Sequence, residues 1–286
     1  MTSPTVPVLL YHSVSDQPGS GRFASQVVPP ATLQRDLETI ALHGKRGVTV
    51  YELLDTLDQG LPLEDLVGLS FDDGFLDFYD VALPILSGFG FKATLYVPTA
   101  FVGKSASWVV GSDSQLRTLS WGHLRDCAAA GTEIGSHGVS HVPLDVLSPR
   151  EAMAELADSR QELEDHLGLP VRSLAYPHGY TSPHLARAVC EAGYKSACVI
   201  GHRPWPTDRP RTAISRILVR PGLGSRRPSF DPPPAVRIEG ALKRLATPWW
   251  RFARRVGRPV RPLVPRDRGS DRHGPSSLAS GPEVVP

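Results

Sequence analysis

The sequence predicts an α/β fold, a distorted (β/α) barrel of about seven units followed by an irregular basic C-terminal tail, and three observations carry that reading. Short apolar runs alternate with amphipathic helical patterns over the first 220 residues, side chains able to do chemistry gather at the ends of those runs, and the last 60 residues are dominated by Arg and Pro. The division expected is a catalytic barrel over residues 1–222 and an Arg/Pro-rich tail over 223–286, partly helical or disordered. At 286 residues and 41% hydrophobic composition, the chain is long enough to bury one core of that size.

The strand-like runs lie at residues 6–11, 48–50, 66–71, 93–97, 133–135, 173–176, 196–200 and 214–219. Helical spacing of apolar residues occupies 31–42, 51–59, 75–89, 121–130, 149–167 and 183–192. The last two helices have clear starts. Ser148 precedes Pro149 and Glu151, and Ser182 precedes Pro183; a hydroxyl there caps a free backbone N–H, and Pro in the first turn gives up no hydrogen bond. Strand–helix alternation of this length implies parallel βαβ units, and seven or eight of them imply closure into a barrel.

Charge divides the chain in two. From Arg226 onward there are 13 Lys and Arg against 5 Asp and Glu, a balance of +8, which leaves 18 against 24, or −6, for residues 1–225. A mildly acidic body suits a soluble enzyme, and a basic tail suits an anionic partner. Ile238, Leu242, Leu245, Trp249, Trp250, Phe252 and Val256 interleave with arginines and a lysine, a pattern compatible with an anionic membrane surface, although Pro248 argues against one continuous helix. No nucleic acid is expected as a partner. The N-terminus shows no basic segment followed by a long apolar stretch, and no run approaches ~18 apolar residues, so the location expected is cytoplasmic, with peripheral contact at the inner membrane face. Cys127, Cys190 and Cys198 have no paired spacing; Cys127 and Cys190 read as small apolar filler in helices.

Four runs end in candidate chemistry: Tyr11-His12, Asp72-Asp73-Gly74, Gly135-Ser136-His137 and Ala175-Tyr176-Pro177-His178-Gly179. The C-terminal ends of barrel strands form the active-site face, so these four segments converge on one mouth. Adjacent carboxylates diverge, so one of Asp72 and Asp73 can ligate a metal while the other reaches an attacking water; the same residues also suit an ordinary turn. In His137-Gly138-Val139-Ser140-His141, the glycines, β-branched Val139 and nearby Pro143 predict a loop rather than a helix, which can turn both imidazoles inward or leave them on the surface. Two imidazoles and one carboxylate, with open positions beside them, match a catalytic zinc or similar divalent-ion site. His12 alone reads as a hydrogen-bonded core residue, and Tyr176–Gly179 as a turn able to aim a backbone N–H at a substrate carbonyl. His43, His123, His166, His184, His202 and His273 read as surface residues.

Together these segments resemble the polysaccharide deacetylase family, the carbohydrate esterases that include chitin, peptidoglycan and poly-N-acetylglucosamine deacetylases. The first motif of that family, T/S-F-D-D-G, is matched by Ser70-Phe71-Asp72-Asp73-Gly74, and the second, H-S/T-x-x-H or a near variant, by His137 to His141. The likeness extends over roughly residues 6–220. It implies hydrolysis of the N-acetyl amide of an N-acetylated sugar or polysaccharide, with Asp73, His137 and His141 holding one divalent metal ion, zinc foremost, and Asp72 as general base. Two departures stand out. The family's third motif is commonly R-x-P-Y/F, whereas here Ala175 stands at the Arg position and His178 at the aromatic one, and the late L-x-H motif would fall at residues 214–219, which contain no His. The poly-N-acetylglucosamine branch resembles this chain in its first-strand Tyr-His pair and Y-P-x-G third motif. That resemblance implies His12 as the acid, His178 as the source of an oxyanion-binding N–H, and Tyr11, Tyr176 and Pro177 at the substrate. Two other readings are a metal-dependent amidohydrolase acting on a small non-sugar amide and an inactive carbohydrate-binding module; the retained Asp72 and both histidines argue against the second.

Overall fold

A computed structural model describes residues 3–221 apart from 22, 110–112, 114 and 115. Seven parallel strands close a ring: β1 (Val8–Tyr11), β2 (Leu66–Phe71), β3 (Thr94–Val97), β4 (Glu133–Ser136), β5 (Ser173–Ala175), β6 (Ser196–Ile200) and β7 (Ile214–Leu218). Each pairs with the next in chain order, and β7 returns to β1 through Ile217 opposite Leu9 and Leu218 opposite Leu10. Around the ring lie α1 (Pro30–Leu42), α2 (Val50–Asp58), α3 (Leu83–Gly88), α4 (Trp121–Ala129), α5 (Pro149–Leu167) and α6 (Pro183–Glu191). The barrel expected from the sequence is therefore the fold observed, and its seven strands come from eight apolar runs. The run at 48–50 stays outside the ring because Arg46–Val48 pairs with the first half of β2, on the edge whose second half pairs with β3. Thr49 then caps α2, accepting from the Glu52 N–H, so the chain turns away after three paired residues.

The pleat decides what each strand residue meets. Leu9, Tyr11, Leu69, Phe71, Leu95, Leu174 and Ala197 lie in the layer between strands and helices, whereas Val8, Leu66, Tyr96, Ala175, Cys198 and Ile214 form a second cluster inside the ring. The ring is thinnest between β4 and β5, joined by the single pair Ser136 and Leu174. Tyr96 lies across that seam. A Cβ on Gly135 would stand 2.6 Å from its ring, which is why β4 carries glycine there.

Helix starts follow the sequence closely. Ser148 and Glu151 form a reciprocal capping box on α5, Ser182 accepts from the Leu185 N–H on α6, and α5 ends on left-handed Gly168. The helix expected over residues 75–89 is a different object. Its first half is a π-helical turn, Phe78–Ala82, and only Leu83–Gly88 is α-helical. Pro84 is the physical reason: it has no N–H for the carbonyl of Asp80 and its ring crowds that carbonyl, so the chain widens ahead of it. Among the described residues no helix is long and apolar enough to cross a membrane. The expectations for the tail, residues 223–286, lie outside the described residues.

Candidate active site

The inward phase of the pleat, continued past the strand ends, places His12 after β1, Asp72 after β2 and His137 after β4, with Arg216 inside β7. All four side chains are buried at one end of the barrel. The two histidines of the second motif are buried as well, not surface residues, and the segment joining them is a loop as the glycines predicted.

Asp72 is fixed by Arg216. Nη1 donates to Oδ1 at 2.6 Å and Nη2 to Oδ2 at 2.8 Å, a bidentate pair with both partners buried. Burial alone would raise the Asp72 pKa, but Arg216 foremost and then His137 outweigh it and hold the carboxyl below its ordinary value. The Arg missing at Ala175 is thus supplied from the last strand, where the sequence reading looked for a His. Arg216 was missed as a site residue, although a charged side chain on the inward phase of Ile214-Ser215-Arg216-Ile217-Leu218 was a signal that could have found it.

Asp73, His137 and His141 offer three ligand atoms within 4.8 Å of one another. Asp73 Oδ1 lies 3.0 Å from His141 Nε2 and 3.5 Å from His137 Nε2, yet it is buried and receives no hydrogen bond. His137 Nδ1 is 2.7 Å from the Ala175 carbonyl, which can only accept, so Nδ1 carries the proton and Nε2 presents its lone pair toward Asp73. Burial pushes the His137 pKa down to about 4, which favours the neutral form a metal ligand needs. Ligand atoms around a tetrahedral zinc at ~2.0–2.1 Å lie about 3.3 Å apart. The donor set fits one divalent ion.

His12 is buried and its Nδ1 has no hydrogen-bond partner. Burial lowers its pKa, opposed by the charges of Asp73 and Asp72, so the ring lies within electrostatic reach of both carboxylates. His178 is exposed on the 3-10 turn Pro177–Gly179, with its ring centroid 4.9 Å from that of His141. Pro177 is buried beside the second-motif loop, with Cγ 3.8 Å from where a Cβ on Gly138 would stand. Tyr11 and Tyr176, expected at the substrate, have buried side chains. Tyr11 is buried, stacks on Phe71 and donates to Asp36 at 2.8 Å, because the outward phase turns it to α1. Tyr176 is buried and donates to the Thr212 carbonyl at 3.1 Å. Two minor readings also change: His202 is buried rather than at the surface, and Cys190 is exposed rather than filler.

Backbone strain marks the same end of the barrel. Asp73, His141, His178 and His202 have positive φ of 77°, 55°, 61° and 51°, and each follows a barrel strand. Such conformations cost about 1–3 kcal/mol each and persist where surrounding structure imposes them. Trp108, a further residue the sequence reading missed, has its ring centroid 5.1 Å from that of His141 and packs on Phe101 and Phe75. It walls one side of the mouth.

Asp77 supports the first strand end from below, accepting from Ser13 beside His12. Burial raises its pKa to about 6. The folded state then binds this proton more tightly than the unfolded chain does, so the stability it contributes is present below about pH 4 and is lost as pH rises through about 6. Asp77→Asn is expected to melt with wild type near pH 4 and to exceed it by on the order of 2–3 kcal/mol above pH 7. Thermal unfolding across that range checks this, and a difference independent of pH would contradict it.

The polysaccharide deacetylase family model matches residues 60–197, the span from before the first motif through the third. Residues 60–197 are thus a polysaccharide deacetylase domain. With that polysaccharide deacetylase domain the chain is a hydrolase acting on carbon–nitrogen bonds other than peptide bonds. The Bacillus subtilis protein YxkH, provisionally named a polysaccharide deacetylase, is 29% identical over 220 residues, which is 76% of this chain and 72% of that protein. The structure of IcaB from Ammonifex degensii superimposes with a TM-score of 0.64 at 25% identity, covering 76% of this chain and 93% of that one. The Streptococcus pyogenes deacetylase PplD in complex with acetate gives a TM-score of 0.69 at 23% identity over 82% of this chain and all of that chain, a likeness of fold.

Proposed function

We propose that this chain removes N-acetyl groups from a sugar or polysaccharide by hydrolysis, using one divalent ion, zinc foremost, held by Asp73, His137 and His141. The observation that carries the reading is the juxtaposition of a three-donor cluster, with an unbonded buried carboxylate oxygen, and a second carboxylate locked by Arg216. When bound, the ion polarises the amide carbonyl and makes water nucleophilic at neutral pH. Asp72 accepts the proton of the attacking water. Its oxygens are held by two charge-assisted hydrogen bonds, so it meets that proton without reorganising. His12 donates a proton to the leaving nitrogen, and the turn after Tyr176 offers the His178 N–H to the developing oxyanion. The test is acetate release from a panel of N-acetylated sugars and small non-sugar amides, using chelator-treated protein with and without restored zinc. Zinc-dependent release from the sugars is expected. Zinc-dependent cleavage confined to the non-sugar amides would assign the same machinery to a different substrate, and release indifferent to zinc would contradict the metal role.

The basic stretch from Arg226 onward, with Trp249 and Trp250, supports a second proposal: it tethers the enzyme to an anionic membrane surface. Full-length protein should sediment with vesicles rich in anionic lipid at low salt, and protein lacking residues 226–286 should not. Full-length protein that ignores such vesicles would contradict the tether.

A further inference from the structure

The loop that carries the second motif has no regular structure of its own, yet four of its five backbone N–H groups, those of His137 to Ser140, are hydrogen-bonded. Its carbonyls at Gly138 and Val139 accept from Thr99 and Ala100 at 3.1 and 3.0 Å, and the His137 N–H donates to the Val97 carbonyl at 2.9 Å, tying it to the end of β3. The Gly138 N–H donates to Ser136 Oγ at 3.0 Å, and Ser136 Oγ lies 2.8 Å from Ser159 Oγ on α5. Three further donors converge on one side chain. Glu155, one turn before Ser159 on α5, accepts from the Val139 N–H at 2.7 Å and the Ser140 N–H at 3.0 Å through Oε2, and from the Ser140 hydroxyl through Oε1.

We infer that Glu155 is the positioning residue of the metal centre: its carboxylate folds the His137–His141 loop into the geometry that aims both imidazoles at Asp73. The inference rests on the metal reading above and extends it to a side chain outside the ligand set. Three donors on one loop require an acceptor with two oxygens and no proton of its own, and a carboxylate is the side chain that meets this. The bonds restrain two of the three residues between the ligands, so the conformational freedom of the loop is lost at folding instead of at metal binding. Gly138 agrees with the arrangement. Its φ is 75°, and a Cβ there would stand 3.1 Å from Glu155 Oε2, so the carboxylate occupies the space that the Ser or Thr of the family's motif would need. The Glu155 bonds end immediately before His141, which is itself held at a φ of 55° with its Nε2 3.0 Å from Asp73.

The test is a zinc titration of the full-length protein against a chromogenic chelator, with thermal unfolding of the metal-free protein alongside. Glu155→Gln retains the size of the side chain but replaces one acceptor oxygen with an amide that faces donors. Zinc affinity is expected to fall about 10-fold or more, and Ser140→Ala, which removes only the hydroxyl, should lose a smaller factor. Glu151→Ala opens the capping box formed with Ser148 at the start of the same helix, so it should lower the metal-free melting temperature and leave zinc affinity unchanged. Equal zinc affinity in folded Glu155→Gln and wild type would overturn the proposal, as would an equal loss in Glu151→Ala. If Glu155→Gln does not fold, unchanged affinity in Ser140→Ala overturns it. Wild type that binds no zinc would overturn the metal reading itself, an outcome distinct from the others.

Discussion

Asp72→Asn is expected to keep its metal and lose turnover by about 10²-fold or more, because the amide cannot take the proton of the attacking water. The proposed ligand set is untouched, since it takes its carboxylate from Asp73, beside His137 and His141. The structure adds a second, separable consequence. Arg216 is fully buried and its guanidinium is bound to both Asp72 oxygens, so the substitution leaves a buried cation without its counter-charge. Breaking such a pair from one side costs about 3–5 kcal/mol. Turnover, bound metal and melting temperature measured on one preparation separate these effects: low turnover, full metal and a lowered melting point are expected. Wild-type turnover in Asp72→Asn would remove it from the chemistry, and loss of metal would make it a ligand.

His12→Ala is expected to lower turnover of an N-acetyl amide by about 10²–10⁴-fold, while an activated acetate ester, whose leaving group departs without a proton, suffers far less. The late-motif His is absent, and an amine anion is too poor a leaving group to depart unprotonated, so some acid must reach the nitrogen. Two histidines outside the ligand set fall within the constellation, and they differ in setting. His12 is buried beside Asp72 and Asp73 with a free Nδ1, whereas the His178 ring is exposed on its turn. Equal losses on amide and ester would assign His12 a positioning role. A larger loss from His178→Ala than from His12→Ala would move the acid to His178.

The ring and the ligand cluster were legible in the sequence because both follow from local rules. Strand and helix periods alternated cleanly, caps such as Ser148 with Glu151 stood where helices begin, and the chemistry lay at the ends of runs that parallel topology forces to one face. What could not be read depends on phase and on distance across the barrel. Tyr11 and His12 are neighbours, yet one turns to Asp36 under α1 and the other into the ring, a division that adjacency along the chain does not reveal. Arg216 lies 144 positions from Asp72, and only closure of β7 on β1 brings the two together. The family motif points to Ala175 for an Arg beside the base, whereas the pleat brings Arg216, at an inward position of β7, to Asp72. Glu155 escaped for a related reason: on a helix, a Glu with helical neighbours looks like solvent-facing charge until the loop it holds is in place.

Metal content tests the central claim most directly. Wild-type protein loaded with zinc and freed of excess should carry one ion per chain by elemental analysis, and His137→Ala, prepared identically and folded by circular dichroism, should carry little or none. Equal zinc in the two proteins would contradict the assignment of Asp73, His137 and His141 as the metal site.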